Sequence, residues 1–218
     1  MTTGRKGKRR WAQSQAHDPW VRKARAQGLP SRSAFKLEEI VSRFGLLKTG
    51  QAVLELGAAP GGWTRIAVAS VGALGRVVAV DRLPMTPPAG ARFVLGDLAD
   101  ETTRAEALAA IGGAADVVLC DLAPNLTGIR DVDAANEAEL GDLAAGIAAA
   151  ALKPGGVLLL KTFEGPAAAQ LQHRLRGEYR RVRHLKPAAS KARSREFYLL
   201  AEGFRPGPEI AAERPGAL

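Results

Sequence analysis

From Ala52 onward, short runs of apolar and β-branched residues alternate with segments of helical periodicity, and that alternation leaves few architectures open. The runs are Ala52–Leu56, Arg76–Val80, Arg92–Leu95, Asp116–Cys120 and Val157–Leu160, each set off by Gly, Pro or Asp. Their near-continuous apolarity suits strands covered on both faces. Helices are expected between them at Gly61–Val71, Thr102–Ile111 and Ala134–Leu152, the last closed by Lys153-Pro-Gly-Gly156. Such alternation predicts an α/β fold, a parallel sheet with right-handed crossovers. A further helix, Pro166–Gly177, precedes two strands, Arg181–Lys186 and Glu196–Ala201, expected as a terminal antiparallel pair.

Ahead of the sheet, Ser31 is placed to cap an amphipathic helix with Leu37, Ile40, Val41 and Phe44 at helical spacing, ending near Gly45. A chain of 218 residues fits one domain. The expected division is a basic, partly mobile arm over 1–30, the domain proper over 31–206, and a frayed Pro/Gly-rich tail over 207–218.

Charge is localised. The net value is +9, yet residues 1–36 hold 10 Lys/Arg against Asp18 alone, residues 174–195 hold nine against Glu178, and the stretch between is acidic. A solvated surface is the lesser reading of either block alone and weaker still for both; together they are the footprint of a polyanionic partner, because each neutralised phosphate releases condensed counterions. The longest apolar stretch, Ala144 to Leu152, falls far short of the roughly 18 residues of a spanning helix. One cysteine, Cys120, forbids an internal disulfide, and His17, His173 and His184 lack ligand spacing. A cytoplasmic, metal-free protein is expected.

The strand Ala52–Leu56 runs into Gly57-Ala-Ala-Pro-Gly-Gly-Trp63 and then a helix, the place where an open α/β sheet binds its ligand. A dinucleotide fingerprint would need Gly at 59, where this chain has Ala, and no Gly-Lys-Ser/Thr follows for a P-loop. A nucleoside ligand without phosphates fits better. Asp81, Asp97 and Asp121 follow successive strands, with Asp81 suited to ribose hydroxyls and Asp97 to an adenine amino group. Each alone is more often a cap or turn residue; the three together, beside a glycine-rich first turn, point to S-adenosylmethionine.

Four segments, Glu55-Leu-Gly-Ala-Ala-Pro-Gly-Gly-Trp63, Cys120-Asp-Leu-Ala-Pro-Asn125, Leu160-Lys-Thr-Phe163 and Ala192-Arg-Ser-Arg-Glu-Phe-Tyr198, resemble in order and spacing the FtsJ/RrmJ family of ribosomal RNA 2′-O-methyltransferases. The resemblance spans Ser31 to Pro206. It implies a Rossmann-like, mostly parallel seven-stranded sheet with helices on both faces. It further implies a Lys-Asp-Lys-Glu tetrad at Lys36, Asp121, Lys161 and Glu196, and cofactor contacts at Gly61, Trp63, Asp81, Asp97 and Asp121. Glu55 stands where many members have Asp, and Cys120 where Ser is familiar. Bacterial members modify a uridine of large-subunit rRNA, whereas relatives with the same tetrad modify tRNA or mRNA caps. A short chain favours the ribosomal branch, acting as a monomer on rRNA within a large-subunit particle.

A ribose 2′-hydroxyl is a poor nucleophile at neutral pH, so its proton must be removed while the oxygen is aligned for in-line attack. Lys161, ending an apolar strand, can take that proton when neutral. Lys36 can then steady the developing alkoxide, with Asp121 and Glu196 holding the two ammonium groups. Read singly, Lys36 is a solvated lysine and Glu196 an ion-pair partner of Arg195. Cys120, inside a strand end with no base beside it, reads as a small buried hydrophobe rather than a nucleophile. The rival reading is an RNA-binding assembly factor without turnover, against which the intact tetrad argues.

Overall fold

The computed structural model describes residues 18–112, 114–124, 127–191 and 194–207. The arm up to residue 17 and the tail beyond 207 lie outside them. Strands β1 (Ala52–Leu56), β2 (Arg76–Asp81), β3 (Ala91–Leu95), β4 (Ala115–Cys120), β5 (Leu152–Phe163), β6 (Tyr179–Leu185) and β7 (Glu196–Phe204) form one sheet in the order β3-β2-β1-β4-β5-β7-β6. The first five pair in parallel; β7 runs antiparallel to both β5 and β6. The expected parallel sheet with an antiparallel end is what forms, except that the last strand in sequence inserts between β5 and β6.

Side-chain alternation divides the core in two, because neighbouring residues of a strand face opposite ways. Leu54, Leu56, Val78, Val80, Val118 and Leu160 face one side. There they pack on helices α4 (Glu101–Ile111), α5 (Arg130–Ala151) and α6 (Pro166–Glu178). Val53, Val77, Val117, Leu119, Leu159 and Tyr198 face the other, against α2 (Ser33–Phe44) and α3 (Gly62–Val71). No described helix is long and apolar enough to cross a membrane.

Within the stretch expected as a basic, partly mobile arm, residues 19–26 form helix α1 (Pro19–Ala26), capped by Asp18, whose side chain accepts from the Trp20 amide. Two expectations need correction. Ser31 does not cap α2: its hydroxyl bonds Ser33 Oγ at 2.6 Å, and Arg32, at the N-cap position, makes no side-chain capping bond to the helix. Lys153-Pro-Gly-Gly156, read as a helix stop, belongs to β5, where Leu152 already pairs with Ala115. Pro154 and Gly155 are exposed at the strand's entry, where proline is tolerated, while Gly156 is already buried. Gly45 ends α2 in the left-handed conformation, as expected of a glycine stop.

Candidate active site

Parallel strands deliver their carboxyl ends to one edge of a sheet, so Asp81 after β2's valines, Asp121 just past β4 and Lys161 near the end of β5 arrive together. Glu196 lies 35 residues beyond Lys161 in sequence and reaches the same edge only because β7 is reversed, beginning where its neighbours end. Lys161 pairs directly with Tyr198, and Phe163 with Glu196. Strand alternation therefore puts Lys161, Tyr198 and Glu196 on one face.

On that face the charged groups join. Lys161 Nζ donates to the Asp121 carbonyl oxygen at 2.6 Å and forms an ion pair with the same residue's carboxylate, 3.0 Å from Oδ1. The Tyr198 hydroxyl donates to the same Oδ1 at 3.0 Å. Lys36, on α2 and only 5% exposed, pairs with Glu196 Oε1, and its ammonium stands 5.7 Å from the centre of the Tyr198 ring. Ser190 adds a hydroxyl to Glu196 Oε1 at 3.2 Å. The four residues expected as a tetrad thus form two ion pairs, with Tyr198 touching both. Burial alone would raise the Glu196 carboxyl, but the Lys36 ammonium, helped by Lys161 and Ser190, outweighs it and holds the group below its ordinary value. Burial first, and then Asp121 and Glu196, push the Tyr198 phenol well above its usual range, so it serves as a donor.

Beside this cluster opens a cleft of about 540 Å³, with Gly57, Ala59, Asp81, Asp97 and Asp121 among its walls. Asp81 holds the glycine-rich turn: Oδ2 accepts from the Ala59 amide and Oδ1 from Leu83, both at 2.8 Å. Each carboxylate oxygen keeps a second acceptor position for a ligand. Asp97 likewise accepts from Ala99 N at 2.9 Å. The turn-residue reading and the ligand reading of these aspartates are compatible. At Gly57, with φ +81°, a Cβ would stand 2.8 Å from Leu122 Cδ2, so the turn needs glycine there.

Gly61 and Trp63, expected among the cofactor contacts, are not among the residues lining this cleft. Trp63 is 2% exposed; its indole donates to Ser33 O at 2.8 Å and packs on Tyr198 at 5.6 Å. The side chain fastens α3 to the first turn of α2, just ahead of Lys36. Cys120 is fully buried, and burial pushes its thiol up to about 12, as a packing residue requires. Reading the sequence alone did not single out Tyr198 and Ser190. The period-2 spacing of Glu196 and Tyr198 on one strand was the signal available for the first; only the fold brings in the second.

Against known proteins, the family model described as FtsJ-like methyltransferase matches residues 29–204. The chain belongs to the FtsJ-like methyltransferase family. A Bradyrhizobium diazoefficiens protein named ribosomal RNA large subunit methyltransferase E is 48% identical over 200 residues, covering 90% of this chain and 88% of the relative. The protein of the same name from Acidithiobacillus ferrooxidans is 42% identical over 209 residues, 96% of this chain and 94% of that one. A putative ribosomal RNA methyltransferase from Plasmodium falciparum shares the fold, with TM-score 0.72 at 23% identity over 80% of this chain and 98% of its own. The methyl donor of FtsJ-like enzymes, S-adenosylmethionine, suits the chemistry of the cleft, where Asp81 and Asp97 keep acceptor positions of the kind that hydroxyl and amino groups of a nucleoside fill.

Proposed function

We propose that this protein transfers the methyl group of S-adenosylmethionine to a ribose 2′-hydroxyl of large-subunit ribosomal RNA, a uridine within the assembled particle. The observation that carries this reading is the convergence of Lys36, Asp121, Lys161 and Glu196 into two ion pairs beside a nucleoside-sized cleft. The names of the relatives support the substrate. Further support comes from the basic blocks, which abut although about 140 residues separate them: Ala24, Phe35 and Ala189 form one buried cluster. Around it Arg22, Lys23, Arg25, Lys186 and Lys191 are exposed for phosphates.

When bound, the cofactor supplies an electrophilic methyl on a sulfonium. Asp121 holds Lys161 Nζ through a hydrogen bond to its carbonyl and an ion pair to its carboxylate, fixing the nitrogen where the ribose hydroxyl can meet it. The proton that the 2′-hydroxyl gives up would pass to Lys161 Nζ, while the sulfur of the bound cofactor would leave as a thioether. Lys36, steadied by Glu196, offers the remaining positive charge to the developing alkoxide. Asp121 also lines the cleft, so the residue that holds the base would be a wall of the cofactor site as well.

Ribose methylation mapped across total RNA, with and without the gene, tests the substrate. The expected result is loss of one large-subunit mark, restored by the wild-type chain and not by Lys161→Ala; loss of a tRNA mark instead would move the substrate. On the cofactor side, Asp81→Ala should weaken S-adenosylmethionine binding by about 1–3 kcal/mol, the worth of charge-assisted hydrogen bonds. Calorimetry reads it directly, and an unchanged affinity would take the ribose away from Asp81.

A further inference from the structure

We propose that α1 is a clasp that positions Lys36 and Glu196, and that a shielded Asp18–Arg32 ion pair closes it. Asp18 is the single acidic residue of the 36-residue basic block at the start of the chain. In a segment that did nothing but grip phosphates, a carboxylate that neutralises an arginine would be a cost. Yet Asp18 is 8% exposed, with Oδ2 held 2.8 Å from Arg32 Nη1 and Oδ1 capping α1 at the Trp20 amide. The same Arg32 nitrogen donates to the carbonyl of Ala189 at 3.4 Å.

Apolar contacts follow the same route. Trp20 packs on Phe35 with ring centres 5.4 Å apart, and Ala24 and Ala189 are buried against that ring. A second tie joins α2 to the loop, where the Ala188 amide donates to Glu39 Oε2 at 2.7 Å. Phe35 is the residue before Lys36, and Ser190, the residue after Ala189, bonds Glu196. Lys36 is therefore one residue from a clasp contact, and Glu196 is hydrogen-bonded to a residue that neighbours one. Shifting α1 moves both halves, whereas the cleft walls at Asp81 and Asp97 lie on the opposite half of the sheet.

This inference rests on Lys36 and Glu196 acting in the transfer, and the test separates the two ideas. Asp18→Asn keeps an N-cap acceptor for Trp20 but removes the charge facing Arg32, and it makes the basic block more positive. The expected result is a single-turnover rate on large-subunit particles at least about tenfold lower at saturating S-adenosylmethionine, as loss of alignment costs. Cofactor affinity should stay unchanged and rRNA affinity unchanged or tighter, while Asp18→Glu, which retains the carboxylate, recovers most of the rate. The clasp is overturned by a wild-type rate for Asp18→Asn, by a rate loss matched by weaker RNA binding, or by loss of cofactor binding. If Lys36→Ala, run alongside, keeps its rate, the assignment of the pair falls; if it loses its rate while Asp18→Asn does not, only the clasp falls.

Discussion

Lys161→Ala should lower single-turnover methyl transfer by about 10²–10⁴-fold, the usual contribution of a positioned general base, while cofactor affinity stays near wild type. The geometry separates the two effects. Lys161 spends its bonds on Asp121 and is not among the residues lining the cleft, so its loss leaves the cofactor's walls in place. Asp121 is not stranded by the change, since the Tyr198 hydroxyl still donates to Oδ1. Asp121→Ala should cost both rate and cofactor binding, because that carboxylate belongs to the cleft and to the ion pair at once. Losses from Lys36→Ala and Glu196→Ala should fail to add to that of Lys161→Ala, as expected for groups joined through Tyr198 into one cluster. A near wild-type single-turnover rate for Lys161→Ala would move the base elsewhere and leave Lys161 as a scaffold residue.

How far such a site can be read from sequence depends on where its information sits. Asp81, Asp121 and Lys161 are legible because a parallel strand announces itself by apolarity and its functional residue follows at the end; the three lie at the edge where their strands finish. Glu196 is legible by motif alone, since nothing in periodicity says that β7 is reversed and inserted beside β5. Trp63 carries a packing role that its place in the motif does not announce, its indole being committed to Ser33 and Tyr198. Helix α1 had a signal that went unused. Asp18-Pro19 is an N-cap followed by a proline at the first helical position, a helix start in its own right. The density of positive charge in that segment masked it, because three apolar side chains at Trp20, Val21 and Ala24 are too few to show a period.

Stability should fall as pH rises from 6 to 8, and Glu55→Gln should remove most of that fall. Glu55 sits on β1 with no exposure and with neither carboxylate oxygen hydrogen-bonded among the described residues. Burial pushes it from 4.5 to about 8, with Thr64 pulling it back and the charges of Asp121 and Asp81 adding to the rise. In that window the folded chain keeps a proton that the unfolded chain has released. Stability from this group is therefore complete below about pH 4.5, declines by up to about 1.4 kcal/mol per pH unit, and levels off above about 8. Between pH 6 and 8 the expected loss is roughly 2–3 kcal/mol, a large share of a domain's marginal stability. Glutamine reproduces the neutral acid in shape without a titrating proton, so urea midpoints of Glu55→Gln at the two pH values should nearly coincide and exceed wild type at pH 8. Parallel curves for the two proteins would mean that Glu55 is already ionised inside the fold. A neutral Glu55 also has a consequence for the chemistry above it: at neutral pH it adds no third carboxylate charge beneath Asp121 and Asp81, and leaves Lys161 its ion pair with Asp121.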